Sequence, residues 1–144
     1  MRVWLVSTCA SLAGFDVVAS DYYEDALRFT RVNAVRNGAL PPRGLVLDWR
    51  RLPASLPAFD VVLASDVLYE RSNGPIVARA IGATLAERGR AFVADPGREG
   101  REEFIRSLQE NGLRLAKRTE LPFVEGRVRK TIILFAINRS APSG

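Results

Sequence analysis

The sequence predicts an α/β fold, a doubly wound and mostly parallel sheet ending in an antiparallel hairpin. Short, near-continuous apolar strands alternate with segments of helical period, which is the pattern of a parallel sheet covered on both faces. Aspartates stand at the ends of those strands. The last two strand-like segments have no helix between them, so they pair antiparallel.

The elements follow in order. Phe15–Ser20 (FDVVAS) is an apolar run ending at Asp21 and reads as a buried strand. Glu24–Asn37 places Ala26, Leu27, Thr30, Ala34 and Val35 at helical spacing, and Gly38 closes the helix because it tolerates positive φ. Gly44–Trp49 (GLVLDW) is a second strand, after which Pro53 and Pro57 break the chain. Phe59–Val67 (FDVVLASDV) is a third, apolar on both faces. Gly74–Glu87 is a helix with Pro75 in its first turn, and Gly89–Asp95 (GRAFVAD) is the fourth strand. Glu99–Asn111 is a helix closed by Asn-Gly. Leu113–Leu121 and Lys130–Asn138 are the terminal strands, joined by a loop carrying Pro122 and Gly126. A length of 144 residues suits one domain, residues 1–139, with a frayed tail at 140–144.

Composition restricts the chemistry. The chain has no histidine and one cysteine, Cys9. Ser-His-Asp and Cys-His nucleophile systems, histidine metal sites and thiolate clusters are therefore excluded. Carboxylates, hydroxyls, backbone groups or a cofactor must do the work. No apolar run reaches the length of a membrane span, and the start carries no signal-peptide pattern. With the lone cysteine, this points to the cytoplasm. The net charge is +5, nearly all the basic residues being arginine. Their scatter along the chain, with Ala and Gly also rich, argues for a compositional bias and against nucleic acid as a partner.

In open sheets of this type, ligands sit outside the carboxyl ends of the strands. That rim would carry Asp21, Asp48-Trp49, Ser65-Asp66 and Asp95-Pro96-Gly97. A carboxylate at Asp21 can accept hydrogen bonds from both hydroxyls of a ribose, and Tyr22 and Tyr23 can pack on the nucleoside. Trp49 is either an indole that stacks on adenine or a core-edge aromatic. Asp66 and Tyr69 are three residues apart where the strand gives way to a turn. Both can face one pocket, or Tyr69 packs under the next helix.

Asp21-Tyr22-Tyr23 before a helix, Leu47-Asp48-Trp49, and above all Phe59–Tyr69 (FDVVLASDVLY) resemble the class I S-adenosylmethionine-dependent methyltransferases. The branch most similar is the protein lysine methyltransferases with a D-x-x-Y motif, together with the nicotinamide N-methyltransferase-like group. The resemblance runs from about Val3 to Asn138. It implies a Rossmann-like fold, S-adenosylmethionine as cofactor, and methyl transfer to an amine of a protein lysine or a small molecule. It also implies that Asp21 holds the ribose, Trp49 contacts adenine with Asp48 beside it, and Ser65 lines the cofactor pocket. Asp66 and Tyr69 would face the acceptor as catalytic residues. In-line transfer from a sulfonium needs alignment and exclusion of water rather than histidine or metal. The rival readings are a nicotinamide-dinucleotide enzyme and a non-catalytic Rossmann-like remnant that binds without turnover.

The resemblance also calls for a first strand and a loop E/D-x-G-x-G-x-G, but Met1–Gly14 contains only Gly14. Val3–Val6 is a shortened first strand with a degenerate turn, or Val3–Ala13 is the first helix, with Val3, Val6, Cys9, Ala10 and Ala13 on one face. The helix fits the pattern better. On that reading the chain lacks the first strand, leaving a slot with unpaired backbone groups.

Overall fold

The computed structural model describes residues 3–140, with side chains from Leu5 onward. Most of the expected tail, residues 141–144, lies outside the described residues. The chain divides into two compact units, Met1–Leu52 and Pro53–Gly144.

The first unit contains α1 (Val3–Leu12), β1 (Val18–Asp21), α2 (Glu24–Arg36) and β2 (Arg43–Val46). The helical alternative for the N-terminal segment is the one that forms. Its buried residues are Ser7 and Thr8, whereas Cys9 and Ala13 of the expected apolar face are exposed. Strands β1 and β2 pair in parallel, from Val18 opposite Arg43 to Asp21 opposite Val46. Both are shorter than the sequence predicts. Phe15 and Asp16 are exposed ahead of β1. Past Val46 the Asp48 carboxylate accepts the Arg50 amide at 3.0 Å and turns the chain out of the ladder. Helix α2 follows expectation, with Glu24 and Asp25 in its first turn, Leu27, Thr30 and Ala34 buried, and Gly38 at φ +73° past its end.

The second unit contains β3 (Phe59–Ser65), α3 (Asn73–Thr84), β4 (Leu85–Asp95), α4 (Arg101–Ser107), a 3₁₀ turn at Gln109–Asn111, β5 (Leu113–Glu125) and β6 (Val128–Arg139). The sheet order is β3-β4-β6-β5. Strand β4 runs parallel to β3 and antiparallel to β6, and β5 and β6 form the expected hairpin. Ala91 and Val93 of β4 and Ile133, Phe135 and Ile137 of β6 are buried on one face. Phe104 of α4 meets Phe135 there at 6.1 Å between centroids, and Val77, Ala78 and Ile81 of α3 complete the core. Fully burying each large apolar side chain stabilises by about 1.5–3 kcal/mol.

Boundaries in this unit differ from expectation, and β3 ends at Ser65 rather than at Val67. Strand β4 begins at Leu85, directly after α3, rather than at Gly89. The Arg139 guanidinium donates to the carbonyls of Gly82 and Leu85, satisfying the end of α3 one turn early. Helix α4 is shorter than Glu99–Asn111 and finishes as the 3₁₀ turn. Pro122 lies inside β5 rather than in a loop. Strand β5 is at the sheet edge, where a missing N–H breaks no ladder on the outer side.

The fold class is the α/β arrangement predicted, but its strands form two sheets rather than one. Among the described residues β1 pairs only with β2, and β3 only with β4.

Two glycines set the segment after β3. A Cβ on Gly100 would overlap the Glu70 carbonyl oxygen and lie 2.9 Å from that of Leu68. One on Gly74 would lie 2.5 Å from the Gly100 carbonyl oxygen. The close approach lets the Gly100 amide donate to the Leu68 carbonyl at 3.0 Å. Asn73 Nδ2 donates to the Val67 carbonyl at 3.2 Å from the other side. Gly100→Ala should therefore destabilise the second unit by about 1–3 kcal/mol through overpacking against backbone that cannot yield. Urea unfolding of the variant tests this, and an unchanged midpoint would mean that the segment moves aside freely.

Candidate functional site

The sequence-predicted residues fall into two sets, one in each unit. In the first unit, β1 delivers Asp21 at its carboxyl end, on the same face as the buried Ala19. Asp21 is 1% exposed, and its Oδ1 accepts the Tyr23 amide at 3.0 Å. Among the described residues its carboxylate has no other hydrogen bond and no ion pair. A carboxylate has about four acceptor positions, and burial without donors is unfavourable. Among the described residues, Asp21 therefore has acceptor positions left beyond that one bond.

Trp49 lies at the same end of β1. Its Nε1 donates to Ser20 Oγ at 3.3 Å, and the indole is half-buried. Ser20 alternates with Asp21, so the indole is tethered at the opposite face of the strand. Ser20 was not singled out from sequence, and no sequence signal marks it. Tyr22 and Tyr23 pack edge to face at 5.1 Å, and both are exposed. The Arg50 guanidinium stands 5.7 Å from the Tyr22 ring centroid. Asp48 is taken up by Arg50, whose Nε donates to Oδ1 at 2.8 Å. That hydrogen bond holds the Asp48 carboxyl below the usual carboxylate range. Asp48 thus shapes the turn that carries Trp49.

In the second unit, Ser65 is the last residue of β3 and sits opposite Ala94. Asp66 follows with φ 56°, a left-handed conformation uncommon for a side chain other than glycine. Its amide donates to the Ala94 carbonyl at 3.0 Å. The carboxylate is held by Arg98 in a two-pronged pair, Nε to Oδ1 at 2.6 Å and Nη2 to Oδ2 at 3.0 Å. These hydrogen bonds pull the Asp66 carboxyl below its usual range, against the smaller effect of partial burial. Val67 and Leu68 take the buried positions next to it, and Tyr69 is 51% exposed. Tyr69 is therefore not packed beneath the following helix.

Arg98 is the residue that sequence reasoning missed. Its backbone is fixed by Asp95, which is fully buried and accepts the amides of Gly97 at 3.0 Å and Arg98 at 3.1 Å. Asp95-Pro96-Gly97 is legible as a turn. Its partner lies 32 residues earlier and is not.

Because the folded carboxyl of Asp66 is depressed, the pair's stabilisation is present above the unfolded carboxylate value. It is lost as pH falls through the folded value. Arg98→Ala should therefore raise the Asp66 titration point toward that of a free carboxylate, as read by carbon NMR of the carboxyl group. An unmoved titration would show that the pair does not persist in solution.

No protein-family model and no curated protein matches the sequence. Solved structures do resemble the fold. The ribosomal protein L11 methylase of Lactobacillus delbrueckii subsp. bulgaricus aligns with TM-score 0.71 at 18% identity, over 97% of this chain and 67% of its own. A TehB-like SAM-dependent methyltransferase of Corynebacterium glutamicum gives 0.71 at 20% identity, over 94% and 74%. The magnesium protoporphyrin IX methyltransferase of Synechocystis PCC 6803, solved with bound SAH, gives 0.69 at 19%, over 94% and 69%. The chain thus spans about two thirds to three quarters of these relatives' lengths. Its α/β architecture, mixed sheet and terminal hairpin are those of the Rossmann-like S-adenosylmethionine-dependent methyltransferase fold.

Proposed function

We propose that this chain is a methyltransferase domain, residues 1–139, acting with S-adenosylmethionine on an amine nitrogen of a protein lysine or a small molecule. The observation that carries the reading is Asp21, an enclosed carboxylate at the carboxyl end of a parallel strand that accepts one hydrogen bond among the described residues. Such a carboxylate fits the paired hydroxyls of a ribose. The similar structures include a methylase of a ribosomal protein and a methyltransferase of magnesium protoporphyrin IX. The fold thus serves protein and small-molecule acceptors alike.

The residues fit the nucleoside part of the cofactor. Asp21 would accept from the ribose, while Trp49 and Tyr22 offer aromatic surface and Asp48 fixes the turn between them. Ser65 would line the methionine side. S-adenosylmethionine supplies an electrophilic methyl group on a sulfonium. Asp66 would orient the acceptor nitrogen through a free lone pair, and Tyr69 Oη would hold it from the exposed side. Arg98 neutralises the Asp66 carboxylate, so the site attracts an uncharged nitrogen rather than an ammonium ion. A nicotinamide-dinucleotide enzyme is less well supported, because neither the terminal hairpin nor the Asp66–Tyr69 segment belongs to that fold. The cytoplasm is the compartment that accords with an unpaired Cys9.

Calorimetry with adenosylhomocysteine tests the reading. Asp21→Asn should weaken binding by about 1.5–3 kcal/mol, because charged acceptors make the stronger hydrogen bonds. Asp66→Asn and Tyr69→Phe should lower turnover more than affinity. Binding without turnover on any amine would support the non-catalytic alternative. Unchanged affinity in Asp21→Asn would remove Asp21 from the site.

A further inference from the structure

The terminal hairpin is longer than the sheet it belongs to. Strand β4 ends at Asp95, opposite Ile133 of β6. Beyond that pair β5 and β6 continue alone, from Glu120 opposite Ile133 to Glu125 opposite Val128. At about 3.4 Å per residue the free ribbon extends about 17 Å. Every residue from 121 to 131 is exposed. An isolated two-stranded ribbon with exposed Leu121, Phe123, Val124 and Val128 gains little from its own packing.

The charge is as uneven as the packing. Residues 113–139 hold seven basic and two acidic side chains, a net +5 that equals the charge of the whole chain. The rest of the molecule balances, with fourteen of each sign. On the free ribbon itself, residues 121–131, Arg127, Arg129 and Lys130 stand against the single acid Glu125. Arg118 is paired with Glu120 at 3.0 Å. Among the described residues Arg127, Arg129 and Lys130 form no ion pair. Lys130 stands directly across from Phe123, and so beside it on one face, while Arg129 stands across from Val124 on the other. Arg127 occupies the turn after Gly126.

The direction of the ribbon matters. It projects from the carboxyl end of β4, the end at which Asp66 and Arg98 sit.

We infer that the β5–β6 ribbon is a docking arm for single-stranded nucleic acid, with Arg127, Arg129 and Lys130 on phosphates and Phe123 against a base. Guanidinium groups match phosphate oxygens in two-pronged geometry. An aromatic ring flanked by a cation holds a base by stacking without sequence preference. An acidic protein would satisfy the charge but leave Phe123 unused. The docking stands on the hairpin alone.

Fluorescence anisotropy with a labelled oligouridylate, across a salt series, tests the arm on the whole chain. Binding should weaken with salt. Replacing Arg127, Arg129 and Lys130 together by alanine should reduce the log–log salt slope by about 2, at about 0.7 per phosphate contact. Phe123→Ala should weaken binding roughly tenfold at constant slope. All four side chains are exposed, so melting temperatures should hold. No binding at low salt, binding unaffected by the triple substitution, or equal binding of polyglutamate would overturn the inference. Adenosylhomocysteine affinity measured on the same samples separates the two readings. Oligouridylate binding without it leaves the arm standing and removes methyl transfer, and the reverse removes only the arm.

Discussion

The register of β4 is the constraint on which the second unit depends. This strand pairs in parallel with β3 and antiparallel with β6, so it fixes two directions at once. The parallel side brings Ser65 level with Ala94 and lets Asp66 turn off the sheet toward Arg98. The antiparallel side stops at Asp95, and everything in β6 before Ile133 must leave the sheet. One strand end therefore determines both where the carboxylate–guanidinium pair sits and where the basic ribbon begins. A register slip of one residue would turn Ala91 and Val93 outward and exchange the faces of the core.

The four strand-end aspartates show how one residue type takes different roles from its surroundings. Asp95 is fully buried and spends its oxygens on two backbone amides, so it builds a turn. Asp48 pairs with a residue two positions on and builds another. Asp66 is held in a left-handed backbone and shares both oxygens with Arg98, which fixes its direction but cancels much of its charge. Among the described residues Asp21 has a single donor, and a buried carboxylate with few donors is costly. Its candidacy as a ribose ligand stands on that imbalance.

Much of the fold is legible in the sequence because local signals dominate. Apolar runs, a glycine after α2, and the absence of a helix between the last strands are all read within short windows. Boundaries fail where a distant group decides them. Arg139 of β6 ends α3 from 57 residues further along the chain, and Pro122 is tolerated in β5 only because that strand lies at an edge. The α1 face is misread for a related reason, since Ser7 and Thr8 are buried there and their polarity hides the period. At the candidate site the carboxylates are visible but their partners are not. The Asp66–Arg98 pair spans 32 residues, and the Trp49–Ser20 bond spans 29. The charge of the hairpin is present in the sequence as a count, yet it acquires meaning only once residues 121–131 are seen to stand clear of the sheet.

The central claim is that the carboxyl end of β1 receives a nucleoside. The chain has two tryptophans, and one of them, Trp49, is bonded through its indole N–H to the residue before Asp21. A proton–nitrogen correlation spectrum titrated with adenosylhomocysteine reads that position directly. The account predicts that one indole N–H signal moves together with the amides of Asp21, Tyr22 and Tyr23, and that the movement saturates. Saturable shifts that spare all of these, or no shift at all, would contradict it.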